Sequence, residues 1–295
     1  MYPDKAEFFT RRFQKMTENK EQEKRLDYLL KEFKEDSVKY KDLETGSRYE
    51  DKRMALRSLM NIRLPRHMSE DVLKVQDEFL AQEAKEKGIV AWTEIPDAKR
   101  RYGCRRPYAD KLSLWQGDIT RLSVDAIVNA ANSQMLGCFV PCHRCIDNAI
   151  HSAAGIRLRA ECKHYMDSKR MQAGQEYEEP TGRAVLTKGY SLPAKYVIHT
   201  VGPIVGYRVT TALRKDLENC YYNVLKCCVE NGIRTVAFCC ISTGEFHFPN
   251  KEAAEIAVRT VTQFLAEYGE DKFDRIIFNV FKDEDKEIYE NELKK

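Results

Sequence analysis

Beyond residue 110 short apolar runs alternate with longer stretches of helical periodicity. That alternation confines the chain to the α/β class, with strands gathered in one sheet and helices packed on its faces. Runs at 112–116, 126–129, 184–188, 196–200, 235–241 and 275–281 read as strands. Between them 147–162, 213–231 and 252–268 read as helices. The second carries Leu213, Leu217, Cys220, Val224 and Cys228 on one face, and the third Ala257, Val261, Phe264 and Tyr268.

Residues 1–110 read as a helical N-terminal extension, and 111–295 as the sheet domain. Leu26, Leu29, Leu30 and Phe33 fall at helical spacing, and Leu56, Leu59 and Met60 begin a second face that ends near Pro65. A third helix starts with Ser69 as N-cap, presents Val72, Val75, Phe79 and Leu80, and stops at Gly88. Three short amphipathic helices bury too little apolar surface to stand alone, so they are expected to pack on the sheet domain and wall its cleft.

The formal net charge of +3 belongs to residues 1–110; the rest of the chain balances. The cluster Lys99-Arg100-Arg101 with Arg105-Arg106 is short and reads as a solvated linker, so no nucleic-acid partner is expected. No apolar run has membrane-spanning length, and the start MYPDKAEFFTRRF lacks the apolar core of a secretory signal. A cytoplasmic protein with no membrane partner and reduced cysteines is the expectation. Cys227-Cys228 and Cys239-Cys240 then act as small buried hydrophobes.

The chemistry concentrates at GCFVPCHRCIDN, residues 137–148. Cys138, His143 and Cys145 supply thiolate, imidazole and thiolate, a donor set that zinc prefers, and three protein ligands leave its fourth position open. Cys142 is either a replacement ligand or a loop thiol, and His151 either a further ligand or a packed helical histidine. Three loops follow strands: GDIT at 117–120, NAANS at 129–133 and STGEFHFP at 242–249. The last sets small residues and backbone N–H groups beside a helix start, which suits phosphate. Together on one sheet edge they suggest a cleft for a nucleotide diphosphate.

WQGDIT, DAIVNAANS, CIDNAIHSAAG, YVIHTVGP and the late STG, in that order, resemble a macrodomain, the ADP-ribose-binding three-layer α/β/α module with a mixed central sheet. The GCF-x-P-x-H-x-C-IDN insertion and a helical extension of this length bring the likeness closer to the zinc-containing branch, the microbial protein-ADP-ribosyl hydrolases. The resemblance implies Zn2+ on Cys138, His143 and Cys145. It assigns Asp118 with Ile119 to the adenine, Asn129, Ala131 and Asn132 to the distal ribose, and Ser242, Thr243, Gly244, Glu245 and Phe246 to the diphosphate. Asn279 and Phe281 become adenine neighbours, and Asp147 with Asn132 orients ribose and water.

Each residue also has a plainer reading. Asp118 caps a turn, Asn132 closes an Asx-turn, Asp147 complements a helix dipole, and Phe281 belongs to the core. The implied reaction is zinc-dependent hydrolysis of mono-ADP-ribose from a protein side chain, an ester to Asp or Glu, in which zinc lowers the pKa of its water to roughly 7 or grips the ribose. A reader of ADP-ribose with structural zinc, and an O-acetyl-ADP-ribose deacetylase, are the alternatives. The implied partners are a mono-ADP-ribosylated protein substrate, with a lipoylated carrier protein as the candidate, and a sirtuin-type transferase.

Overall fold

A computed structural model describes the backbone of residues 5–295 and the side chains of residues 19–295. The reading of the first thirteen residues as lacking a secretory core lies outside the residues whose side chains are described.

Three helices lead: α1 (Lys5–Glu35), α2 (Tyr49–Ile62) and α3 (Glu70–Lys87). As the spacing requires, Ser69 caps α3 by accepting from the Val72 N–H, and Gly88 ends it at φ +82°. A short strand β1 (Val90–Ala91) and helix α4 (Ala98–Tyr102) follow. The remaining elements are β2 (Leu112–Gln116), β3 (Leu122–Ser123), β4 (Ala126–Ala131), α5 (Ile146–Ala154), α6 (Ile156–Ala173), β5 (Val185–Lys188), β6 (Tyr196–Val201), α7 (Thr211–Glu230), β7 (Thr235–Phe238), α8 (Asn250–Tyr268), β8 (Arg275–Val280) and α9 (Asp283–Lys294).

Six strands form one mixed sheet in the order β2-β8-β7-β4-β6-β5, parallel except for the antiparallel edge strand β5. β1 pairs with β3 apart from it. Helices α5 and α6 pack against β4 and β5, and the row α7, α8, α9 covers β6, β8 and β2, giving three layers. β8 is buried along its whole length, as a strand covered on both faces must be. The parallel strands bring the ends of β2, β4, β6, β7 and β8 to a single edge. From β4 the chain proceeds to β6 on one side and then crosses to β7 on the other, so the loops after β4 and β7 flank a topological switch point.

The extension has an apolar core of its own, with Leu29, Phe33, Leu56 and Phe79 buried and Ile156 of α6 packed against it. It also packs on the sheet domain, where α2 and α3 meet α5. Ile95, Ala98, Cys104 and Ala109 share the core of the sheet, which therefore draws on chain ahead of residue 111. No helix among the described residues is long and apolar enough to cross a membrane.

Most expected bounds hold within two residues, and the larger changes have local causes. β4 runs on to Ala131, and the strand expected over 235–241 stops at Phe238, where the chain leaves the ladder on its way to a left-handed Ser242 at φ +66°. The helix expected over 147–162 is two helices, broken at Gly155 with φ +89°. A side chain at Gly155 would adopt a left-handed backbone and bring its Cβ within 2.6 Å of Gln76 Nε2. Gly155→Ala is expected to lower unfolding free energy by about 1–3 kcal/mol, seen as a lower urea midpoint; an unchanged midpoint would show that the α5–α6 junction tolerates another geometry.

Candidate active site

The loop after β2 is fixed from the last strand. Asn279, buried on β8, donates its amide to the carbonyls of Gly117 (2.9 Å) and Trp115 (3.4 Å). The side chain expected beside adenine thus holds the loop after β2. Asp118 Oδ1 accepts from both the N–H (3.0 Å) and the hydroxyl (2.7 Å) of Thr120, so the carboxylate does cap this turn, and Ile119 is buried next to it. Phe281 is 76% exposed at the end of β8, which excludes the core reading.

The loop after β7 is strained and backbone-rich. Ser242 and His247 both take left-handed φ, and Phe248 N–H closes the loop on Ser242 O at 2.9 Å. Thr243 Oγ1 donates to Cys240 O at 3.2 Å. Val205 N–H donates to Phe246 O at 2.9 Å, tying in the loop after β6. Gly202 in that second loop leaves room for Ser242: a Cβ there would stand 2.1 Å from Ser242 Oγ. Gly244 faces open space. Glu245 is not turned toward the loop's N–H groups. Its carboxylate, 71% exposed, lies 3.7 Å from His143 Nε2.

Asp147 is inside the protein rather than at a helix surface. Cys145 is the N-cap of α5, accepting at Sγ from the Asn148 N–H, and Asp147 points from the first turn under the end of β4. Asn129 Nδ2 donates to Asp147 Oδ1 at 2.8 Å, and Asn132 Nδ2 reaches Oδ2 at 3.4 Å. Asn132 also closes the Asx-turn, accepting from Gln134 N–H at 3.1 Å. Burial pushes the Asp147 carboxyl up to about 6, opposed by the Asn129 hydrogen bond and the Arg159 charge.

Asn129 and Ala131, both assigned to ribose, are buried in β4. The Asn129 amide joins Asp147 to His199 Nδ1 at 3.1 Å, and His199 Nε2 lies 3.0 Å from Thr187 Oγ1. Burial holds the His199 ring neutral, its pKa pushed down to about 3. The Asn129 contact makes Nδ1 the acceptor, which leaves Nε2–H to donate to Thr187.

The ligand atoms of Cys138, His143 and Cys145 lie within 4.8 Å of one another. Cys138 Sγ and His143 Nδ1 are 3.6 Å apart; two such donors on one tetrahedral zinc, with bonds of about 2.3 and 2.0–2.1 Å, stand about 3.6 Å apart. The donor set fits the ion. Nδ1 of His143 is the ring atom that would hold such an ion, and Nε2 lies 3.7 Å from the exposed Glu245 carboxylate, beyond direct hydrogen-bond reach. Burial, with Cys138 adding, pushes the Cys145 thiol up to about 12; a divalent cation reverses that balance.

Neither further ligand weighed above joins the group. Cys142, at φ +52°, turns to α2, with Sγ 3.3 Å from Ser58 Oγ and 3.7 Å from Met54 O. His151 belongs to a separate buried trio with Cys162 and His199. Sequence reasoning missed Arg57, Arg159, His199 and Thr187. They act on the site across 12 to 91 positions of chain, a range at which local periodicity carries no signal.

A Macro domain family model matches residues 128–257, which hold Asp147, the group Cys138, His143 and Cys145, and the whole loop after β7. A Protein-ADP-ribose hydrolase of Treponema medium is 44% identical over 264 residues, 90% of this chain and 94% of that one. The chain belongs to the macrodomain family. A Protein-ADP-ribose hydrolase of Staphylococcus aureus is 41% identical over 266 residues, covering 90% of this macrodomain chain and 93% of its own. Among solved structures, a Trypanosoma brucei macrodomain in complex with ADP-ribose aligns with TM-score 0.58 and 30% identity, over 79% of this chain and 94% of that one. These matches extend well outside residues 128–257, so the likeness takes in much of the helical extension as well.

Proposed function

We propose that this macrodomain is a zinc-dependent hydrolase that removes mono-ADP-ribose from Asp or Glu esters of proteins and releases ADP-ribose. The observation that carries the reading is the open three-ligand group whose third member, Cys145, caps the helix that carries Asp147. The names of the Treponema and Staphylococcus relatives support the hydrolase class. Three ligands, with Cys142 and His151 turned elsewhere, argue against the four-ligand structural zinc that a pure reader would carry.

In this reading the loops after β2 and β7 hold adenine and diphosphate, Asp118 and Ile119 lying at the first and residues 242–246 at the second. Asn132 holds the distal ribose at the mouth of β4, while Asn129 and Ala131 support it from beneath. Bound at Cys138, His143 and Cys145, zinc supplies a Lewis acid at an open position. Asp147 Oδ1 is fixed by Asn129, and Oδ2, on the Asn132 side, takes a proton from the attacking water. The water oxygen bonds to the anomeric carbon as the bond from that carbon to the ester oxygen breaks. A carboxylate leaves without protonation, because its conjugate acid, with a pKa of about 4, is ionised at neutral pH. One internal carboxylate therefore suffices, which suits esters and not arginine N-glycosides.

Release of ADP-ribose from a Glu-modified and an Arg-modified protein at equal enzyme tests the linkage: equal rates would remove the ester assignment. ADP-ribose binding with no release from either would favour the reader. O-acetyl-ADP-ribose belongs in the same assay as the competing ester. Gly202→Val is expected to push Ser242 aside and raise the ADP-ribose Kd at least about tenfold, in line with ~1–3 kcal/mol for overpacking; calorimetric titration reads it. The resemblance further proposes a lipoylated carrier as target, a sirtuin-type transferase as functional partner, and a cytoplasmic setting.

A further inference from the structure

We infer that the helical extension is a working part of the metal site: α2, with Arg57 and Asn61, and Arg159 of α6 clamp the backbone of residues 136–143 and so set the geometry of Cys138, His143 and Cys145. The inference rests on the reading of that trio as a zinc site.

The loop that carries the ligands has no strand or helix of its own, and its path turns at left-handed Met135, Gly137 and Cys142. Such a loop needs outside partners for its polar backbone. It finds them at regular intervals. Arg159 donates from Nε to Leu136 O (2.7 Å) and from Nη2 to Cys138 O (3.3 Å), and its guanidinium lies 4.2 Å from the Phe139 ring centre. Asn148 donates to Val140 O at 2.9 Å while its own Oδ1 accepts from Arg57 Nη2 at 2.7 Å. Arg57 Nη2 also reaches His143 O at 3.5 Å. Cys142 N–H donates to Asn61 Oδ1 at 2.9 Å.

The clamp is anchored in the extension. Arg159 Nη1 donates to the carbonyls of Met60 (3.1 Å), Asn61 (2.7 Å) and Arg63 (2.7 Å), three groups that the end of α2 leaves without helical partners. Asn61 Nδ2 donates to Ser152 Oγ on α5 at 2.9 Å. One planar fork thus joins the end of α2 to the backbone of the first ligand, and a lysine could not make both sets of bonds at once. Arg159 is 5% exposed, so these bonds are shielded from water and hold the loop firmly. None of the three side chains offers a donor atom to the metal; they are positioning residues.

The test uses the full chain loaded with one equivalent of zinc or cobalt. Arg57→Met removes the half-buried contact to Asn148, and Arg159→Lys keeps charge while removing the fork. Each is expected to weaken zinc retention against a chelator by about 10–100-fold, the range for partners that orient metal ligands. The visible spectrum of the cobalt form should shift, and ADP-ribose should bind with wild-type affinity. Wild-type zinc retention and an unaltered cobalt spectrum in both variants would overturn the clamp. So would zinc loss accompanied by loss of ADP-ribose binding, which would mark a general folding defect. If the wild type itself takes up no zinc at this trio, the zinc reading fails, and it fails before the variants are compared.

Discussion

Asp147→Asn is expected to lower kcat for release of ADP-ribose from a Glu-modified protein by about 10²–10⁴, the usual contribution of a positioned proton acceptor. Stability and ADP-ribose affinity should hold. Burial already works against the charged carboxylate, as its rise to about 6 shows, so a neutral amide of the same shape relieves that cost. The amide can still accept from Asn129, whose Nδ2 stands 2.8 Å away. What disappears is an oxygen able to hold a proton. A variant that turns over within a factor of about two of wild type would leave Asp147 with a packing role only.

The second large effect belongs to the ligands. Cys145→Ala should lose stoichiometric zinc and cut turnover on the order of a hundredfold or more, since a Lewis acid contributes several kcal/mol to such a step. The variant also loses the sulfur that accepts the Asn148 N–H at 3.4 Å, a weak cap whose removal costs little stability. ADP-ribose binding is the control: the loops after β2 and β7 take nothing from Cys145. Elemental analysis that finds one zinc per chain in Cys145→Ala would strike this residue from the ligand set.

The alternation of apolar runs and helical faces was enough to place the strands of the main sheet, because core burial imposes a period that each strand displays locally. β2 has the expected bounds, and β6 and β8 end within a residue of them. Breaks set by one backbone torsion were less visible. Gly155 sits in a run that continues helically on both sides, and only its φ of +89° divides α5 from α6. Helix α9 escaped notice because its charged sequence carries few apolar residues, though Tyr289 and Leu293 are buried in the sheet's core.

At the site, the grouping of Cys138, His143 and Cys145 was legible because the three lie within eight residues of one another. Roles that depend on direction were not. The same loop spacing would let Cys142 join that group, and it is the left-handed backbone that turns it to Ser58. Asn129 looked like a ribose contact from its place in NAANS, yet the inward side of β4 sends its amide to Asp147 and His199. Asn279 was read as an adenine neighbour, and what its side chain does there, holding the Gly117 carbonyl of the loop after β2, depends on the register of β8 beside β2. Arg159 carried no local mark at all, since its partners lie up to 99 residues away on the end of α2.

In the proposed mechanism an open zinc site on Cys138, His143 and Cys145 carries hydrolysis in an ADP-ribose cleft. Its most direct test is the rate of ADP-ribose release from a Glu-modified protein by the full chain stripped of metal, before and after one equivalent of zinc is returned. Stripping is expected to abolish release while ADP-ribose still binds, and a single equivalent of zinc to restore it. Full release by the stripped protein would contradict the mechanism.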